Sequence, residues 1–485
     1  MDRSAVPLSS LGALVGGRIL GDPGTMIADV THDSREAVSG TLFVAVRGFT
    51  TDGHQYAEQA VATGASALCV EETVDGCAVP QLLVADTRSA LPRLAAEVHG
   101  RPSEQLRIVG ITGTNGKTTV AYLLESIVSA AGLTAGRIGT TGASIGGDEI
   151  PLPRTTPESS DFQRLLGEMV EQGVDVVAVE VSSHALTLGR VDSVEFAVAA
   201  FTNLSQDHLD FHGDMDAYFA AKKKLFDPLR SKRAVINVED EDGMALAGEV
   251  TIPVVEVGRV IKAEEVELHQ SGCRFRLVTA NESLDVSLPL AGSFNVSNAL
   301  VAAGCALELG IGYDQITAGL AAVGQIPGRY ELIDSTVGFA IAVDYAHTAD
   351  GVQAIIEAAR AVTAGRVIVV LGAGGDRDRS KRPAMGRAAS SADEFVLTSD
   401  NPRSEPPEEI IAAVQAGVEG SVGLTIEPDR RRAIRLALEL AGAQDTVLVL
   451  GKGHEQGQEI AGEILEFDDR VVVREELAEM ERTPC

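Results

Sequence analysis

The sequence predicts an α/β protein of three domains. These are a small N-terminal α/β domain over residues 1–104, a central P-loop-type mononucleotide-binding domain with a parallel sheet over 105–328, and a C-terminal Rossmann-like doubly wound domain over 329–485. Three observations carry this expectation. At 485 residues the chain is too long for one hydrophobic core. Its Val- and Ile-rich runs are mostly continuous rather than alternating, as strands covered on both faces are. Polar, Pro-containing stretches at 99–107 (HGRPSEQLR) and 325–334 (QIPGRYELID) interrupt the pattern and read as a connector and a hinge.

In the first domain, the apolar runs TLFVAVRG (41–48) and ASALCVEE (65–72) are separated by Gly-rich and polar turns. The second opens with RIVGIT, a glycine loop, and KTTVAYLLESIVSAAG, whose helical spacing ends at the capping residue Gly132. The buried-strand runs VDVVAVEV (174–181), EFAVAAFT (195–202) and RAVINV (233–238) follow. Around 250–290, short alternating segments such as CRFRLVT predict a small mixed or antiparallel insertion before a helix in SFNVSNALVAAGCALELG. The third domain alternates the runs FAIAVDYAH, RVIVVLGAGG, DEFVLTSDNPR and DTVLVLGKGHE with helical segments, and each run ends in a polar or Gly-rich loop. In a doubly wound sheet, ligands bind at such strand ends.

Composition narrows the function. No apolar run approaches the ~20 residues of a membrane span and the N-terminus lacks a signal-peptide core, so a cytoplasmic chain without membrane insertion is expected. The five cysteines, Cys69, Cys77, Cys273, Cys305 and Cys485, show no C-x-x-C spacing, which suggests neither disulfides nor zinc. A formal net charge of -30 repels phosphate backbones, relieved only by the short run Lys222–Lys224, so nucleic acid is not an expected partner. Anionic ligands would need local basic clusters.

The glycine loop, GITGTNGKTTV (110–120), nearly fits G-x-x-x-x-G-K-[ST]: Gly116, Lys117 and Thr118 match, while the first glycine falls on Ile111. Glycines let backbone N–H groups approach a phosphate, Lys117 supplies charge, and Thr118 can ligate magnesium. A glycine-rich strand-to-helix turn is the bland alternative, and the flanking strand and helix favour the nucleotide. Glu180 ends a strand and can hold Mg²⁺, although a lone strand-end acid is more often surface chemistry. His208, in TNLSQDHLDFHGD, gains weight from its company. Asn295 and Asn298 suit a base edge or simple capping. Arg377, Arg379, Lys381 and Arg382 cluster at one strand end, and Asp400, Asn401 and Arg403 stand at the next; such guanidinium groups suit carboxylates, or form a solvated basic loop.

In order, GTNGKTT, EVSSH, NLSQDHLDFHG, FNVSNAL, PGRYE, DYAHTAD, GGDRD, DNPR and GKGHE resemble the Mur ligase family of peptidoglycan synthesis over essentially the whole chain. The last three motifs look like those of members that add meso-diaminopimelate to UDP-MurNAc-L-Ala-D-Glu. The resemblance implies an ATP- and Mg²⁺-dependent amide ligase working through an acyl phosphate, with a uridine-nucleotide domain, an ATP domain and an amino-acid domain in that order. A lysine-adding homologue or a folylpolyglutamate synthase-type ligase is the alternative, and a monomer is expected.

It also implies roles. Lys117, Glu180, His208 and Lys222 would be catalytic. Thr118, Glu180 and Lys222, the last as a carbamate, would serve the metal. Gly113, Thr114, Asn115, Gly116, Thr119, Asn295, Asn298, Arg329, Asp344 and His347 would complete the ATP site. Ser34, Thr155, Thr156, Ser182 and Arg190 would meet the UDP-dipeptide. Arg377, Asp400, Asn401, Pro402, Arg403, Gly451 and Glu455 would hold diaminopimelate. Two positions depart from the family: Ala349 stands where relatives carry proline, and Leu188 where some carry glutamine.

Overall fold

The computed structural model describes residues 5–48 and 51–482; Cys485 lies outside them. Three sheets organise the chain. The first has five strands in the order Arg18–Leu20, Gln81–Leu83, Ala67–Val70, Thr41–Val44, Asp29–Thr31, parallel except for the first pair. The helices Leu8–Val15 and Thr87–Val98 pack against it, and the second starts at Asp86, whose carboxylate accepts from Ser89 N.

The central sheet has eight strands, in the order Asp148–Ile150, Gly142–Ile145, Ala135–Gly139, Val176–Glu180, Arg107–Thr112, Val198–Phe201, Ala234–Asn237, Val254–Val257. From Ala135–Gly139 onward all pairs are parallel, and both faces are covered, which is why these runs are apolar without alternation. One cover includes helices Lys117–Ala130, Ser293–Glu308 and Tyr313–Ala322. An antiparallel three-stranded sheet, Lys262–His269, Gly272–Val278 and Ser283–Leu288, joins it as the alternating segments predict.

The third sheet runs Glu331–Leu332, Ala340–Asp344, Thr446–Leu450, Val367–Leu371, Glu394–Leu397, Gly423–Ile426, parallel after the first antiparallel pair. Ala349–Arg360, Arg382–Ala389 and Pro407–Gln415 pack on one face, and Arg430–Leu440 and Asp469–Arg482 on the other. The doubly wound expectation therefore holds. The N-termini of the last two helices are joined by an ion pair, Arg430–Asp469, at 2.7 Å with both side chains fully buried. Arg430 also donates to Ser399 O at 3.3 Å and Leu450 O at 2.9 Å. Those carbonyls begin the two loops that follow strands Glu394–Leu397 and Thr446–Leu450.

Candidate active site

Strand Arg107–Thr112 lies at the middle of the central sheet, and its carboxyl end opens into the glycine loop that caps helix Lys117–Ala130. Gly116 has φ 89°, and a Cβ there would fall 2.3 Å from Asn298 Oδ1; one on Gly113 would fall 1.9 Å from Thr202 Oγ1. Only glycine fits at either position, and the loop is tied to the next strand end by Thr114 N and Asn115 N, which donate to Asn203 O and Asn203 Oδ1, each at 2.9 Å. The Lys117 ammonium turns back onto its own loop, donating to Gly113 O at 2.9 Å and Thr114 O at 2.8 Å. Burial lowers its pKa, with Glu180 opposing.

Glu180 pairs in register with Ile111 on the adjacent strand, which places it beside the loop. Its fully buried carboxylate accepts from Thr118 Oγ1 at 3.0 Å, Thr140 N at 2.9 Å and Thr140 Oγ1 at 2.9 Å, with no ion pair among the described residues. Those residues hold no cluster of three or more His, Cys, Asp or Glu side chains able to hold a metal. Magnesium keeps waters and leans on substrate phosphates, so one or two protein oxygens suffice. A buried carboxylate met only by hydroxyl and amide donors, with Thr118 beside it, fits that ion.

Asp207 is the hub of the cavity's other wall. Lys381 Nζ lies 3.3 Å, His208 Nε2 3.4 Å and His347 Nε2 3.6 Å from its carboxylate. Burial would raise the carboxyl, but His347, Lys381 and His208 outweigh it and hold the group far below the usual range. Burial pushes His208 down to about 3, and its backbone sits in the left-handed region at φ 56°. Two of these partners come from the third-sheet unit, so Asp207 ties that unit to the central one. Arg329 makes a second tie, donating to Thr118 Oγ1 at 2.9 Å.

Lys222 is 1% exposed, donates to Gly113 O at 2.8 Å and lies 4.2 Å from the Tyr218 ring centroid. Burial, then the Lys117 charge, push its pKa well below that of a free lysine. It stands behind the glycine loop rather than among the cavity's lining residues. The run Lys222–Lys224 is thus not a uniform solvated face.

The residues of DNPR and GKGHE meet at the third sheet's strand ends. Asn401 Nδ2 donates to Glu455 Oε2 at 2.7 Å, and the fully buried Lys452 donates to Asn401 Oδ1 and Glu455 Oε2, each at 3.1 Å. Gly451 admits Asp400, whose Oδ2 would lie 2.5 Å from a Cβ there. Arg403, at φ 54°, donates to Gly375 O at 2.7 Å and pairs with Glu459 at 3.3 Å. The basic loop divides. Arg379 and Arg382 pair with Glu405 and Lys381 with Asp207, while Arg377 is exposed and donates to Asp376 O.

Toward the first domain, Arg190 donates to Glu158 at 2.9 Å and Thr156 O at 3.2 Å, and Arg88 reaches the same Glu158 at 2.7 Å. Ser182 caps helix Ser183–Thr187, and Thr156 bonds to the Glu180 carbonyl. Ser34 is buried against Gln59 at 3.0 Å.

A cavity of about 470 Å³ gathers Thr114–Thr119, Thr155, Glu180, Ser182, His208, Asn298, Arg329, Asp344 and His347. Gly113, Ser34, Thr156, Arg190 and the Arg377, Asp400–Arg403, Gly451 and Glu455 set are outside its lining. Asn295 is also outside; its amide donates to Ala291 O at 2.7 Å and accepts from Asn298 at 3.1 Å, the arrangement of the capping alternative. Asp207, Thr140 and Tyr345 line or brace the site although no motif role picks them out; Asp207 and Tyr345 adjoin His208 and Asp344, which the sequence does single out, while nothing in it marks Thr140.

A strand-end glycine loop and a buried carboxylate that face a separate doubly wound sheet across one cavity are the arrangement of a nucleotide-dependent ligase class. The chain belongs to the Mur ligase family, matching its catalytic domain at 26–99, its middle domain at 111–306 and its glutamate ligase domain at 328–453. It is 44% identical over 463 residues to UDP-N-acetylmuramoyl-L-alanyl-D-glutamate--2,6-diaminopimelate ligase of Geobacillus kaustophilus, covering 92% of this chain and 94% of that one. The ligase of the same name from Streptomyces coelicolor is 44% identical over 489 residues, covering 97% and 96%. A solved structure of a ligase of that name superposes with TM-score 0.68 at 31% identity over 99% of this chain and 100% of that one. MurF from Acinetobacter baumannii, at 22% identity, covers 100% of both chains with TM-score 0.73 and shares the fold.

Proposed function

We propose that this chain joins meso-diaminopimelate to the γ-carboxylate of the D-glutamate in UDP-MurNAc-L-Ala-D-Glu, consuming ATP and forming ADP and phosphate. The observation that carries it is the meeting, in one cavity, of the glycine loop and Glu180 with Arg329, Asp344 and His347 of the third-sheet unit, whose strand ends also carry, outside the cavity lining, the cluster that holds Arg403. ATP phosphorylates the carboxylate, and the amine of the amino acid displaces phosphate from the acyl phosphate.

Residues 1–104 take the uridine nucleotide, 105–328 the ATP and 329–485 the amino acid. The loop Gly113–Gly116 shapes the phosphate site, the amides of Gly116 and of the first turn of helix Lys117–Ala130 cradle the phosphates, and Lys117 swings from its loop carbonyls onto them, where charge develops. Asn298 buttresses Gly116, and Asn295 holds Asn298. Arg329, Asp344 and His347 close the ATP site from the third sheet. Thr118 and Glu180 would hold magnesium, which supplies neutralising charge to the phosphoryl group when bound. His208 lines the same cavity, Lys222 stands behind the glycine loop on Gly113 O, and a buried Lys222 amine whose pKa is lowered by burial suits capture of CO₂ as a carbamate. Thr155, Thr156, Ser182 and Arg190, with Ser34 from the first domain, orient the dipeptide. Arg377, Asp400–Arg403, Gly451 and Glu455 take the amino acid, Arg403 meeting its distal carboxylate. A chain fed by ATP and a UDP-linked precursor works in the cytoplasm.

The test is phosphate release and product formation with ATP, UDP-MurNAc-L-Ala-D-Glu and one amino acid at a time. Turnover with diaminopimelate and not with lysine is expected. Turnover with lysine alone would favour the lysine-adding reading, and turnover with a folate and glutamate would favour folylpolyglutamate synthase chemistry.

A further inference from the structure

Tyr345 follows the strand Ala340–Asp344 and lines the cavity. Three segments fix its ring. The Arg329 guanidinium lies 4.7 Å from the ring centroid, the His347 ring 4.6 Å and the His454 ring 5.2 Å. A Cβ on Gly453, whose φ is 54°, would fall 2.7 Å from Tyr345 Cβ, so the loop before Glu455 packs against this residue too closely for any other side chain. Tyr345 N also donates to Gly328 O at 2.9 Å in the hinge. Arg329 touches the phosphate loop through Thr118, and His454 adjoins Glu455, so the tyrosine stands between the two halves of the site.

Its hydroxyl makes no hydrogen bond among the described residues. Nearby hydroxyls are committed: Tyr218 to Thr114 at 3.2 Å, Tyr122 to Thr141 at 3.1 Å, and Thr118 and Thr140 to Glu180. Burial raises the phenol's pKa, and the carboxylates Glu455, Asp400 and Asp207 push the same way against Arg329, so the group keeps its proton at neutral pH. It is therefore a fixed, protonated donor.

We propose that the Tyr345 hydroxyl is a catalytic hydrogen-bond donor in the amide-forming half of the reaction, an inference that rests on the ligase reading above. In that half, the lone pair of the neutral amine forms the C–N bond to the acyl carbon, and the C=O π pair moves onto oxygen. Tyr345 O–H donates a hydrogen bond to that oxyanion and keeps its proton. The pair then returns, the C–O bond to phosphate breaks with its electrons on the phosphate, and the proton lost by nitrogen passes to the departing phosphate. A preorganised donor in a closed site typically contributes ~10²–10³ in rate.

The experiment is Tyr345→Phe, which keeps the ring and its packing on Gly453, Arg329 and His454. Amide formation is measured alongside positional isotope exchange in ATP with UDP-MurNAc-L-Ala-D-Glu and no amino acid, which reports acyl-phosphate formation. The expected result is ~100-fold slower amide formation, with isotope exchange, the KM for ATP and the melting temperature as in the wild type. Amide formation within threefold of wild type would overturn the proposal. So would equal losses in both half-reactions, because the hydroxyl would then act on the phosphate side or on the fold. Wild-type protein that exchanges isotope but makes no amide with diaminopimelate would overturn the substrate reading instead.

Discussion

Replacing Arg403 with alanine tests the group proposed to select the amino acid. Diaminopimelate and lysine share a chain and a reacting amine, but only the former carries a distal carboxylate. The Arg403 side chain is 20% exposed, with its fork directed by Gly375 O at 2.7 Å and Glu459 at 3.3 Å. Truncating one partner of a buried, hydrogen-bonded charge pair costs ~2–5 kcal/mol. Residual exposure of Arg403, and a Glu459 that water can reach at 39%, place this case in the lower part of that range. About 2–3 kcal/mol corresponds to a roughly 30- to 150-fold rise in KM for diaminopimelate. Alanine leaves intact the backbone bonds Arg403 N to Glu459 O and Ala461 N to Arg403 O, so the loop should stay in place. The assay is initial-rate kinetics with each amino acid varied at saturating ATP and UDP-substrate. Activity with lysine should hold or rise, and the KM for ATP should stay within twofold. A KM for diaminopimelate that moves less than threefold, or intact discrimination against lysine, would refute the reasoning and leave the ligase assignment standing.

Lys117→Ala should lower turnover at least ~100-fold, the loss typical of one preorganised charge, in the coupled phosphate-release assay; unchanged turnover would remove the phosphate-loop role. Lys222→Ala should be inactive, with short carboxylates restoring part of the rate, and a free amine in the crystal structure of active, bicarbonate-equilibrated protein would contradict the carbamate. Because the folded Lys222 pKa is depressed, the unfolded chain binds a proton that the native one refuses. The resulting penalty is present at neutral pH and disappears as pH rises through the unfolded value, so in bicarbonate-free buffer, where Lys222 is a free amine, wild type should gain stability relative to Lys222→Met as pH rises from 8 to about 10.5 in paired denaturant melts. Burial holds His208 at about 3 and His212 at about 4, so neither ring should titrate by NMR between pH 6 and 8. Their depressed values make the fold lose stability as pH falls through ~6.5 toward those values.

Much of this architecture is legible in the sequence because its signals are local. The strand, glycine loop and helix around Lys117 are contiguous, and uninterrupted apolar runs such as VDVVAVEV report sheets covered on both faces. Glu180 can be read as a strand-end acid, but its adjacency to the loop depends on strand order, which no local pattern encodes. The same limit hid the Asp207 hub, whose partners Lys381 and His347 come from 174 and 140 residues away along the chain. It also hid the difference between Arg377, left exposed, and Arg382, consumed by Glu405, since both read as basic residues of one loop. Asn295 shows the converse: a polar residue at a promising spacing has its amide taken by a neighbouring carbonyl.

The buried Arg430–Asp469 pair has a consequence for how such a protein can change its diet. One buried guanidinium grips the carbonyls where the two loops proposed to take the amino acid begin, so their anchor points are surveyed from a single benchmark. Side chains farther along, from Asp400 to Arg403 and from Gly451 to Glu455, can be exchanged while that benchmark holds still. On the proposed assignment, new amino-acid preferences can be tried at the tips without resetting the distance between them, and a lineage can alter what it ligates while the scaffold beneath stays inherited.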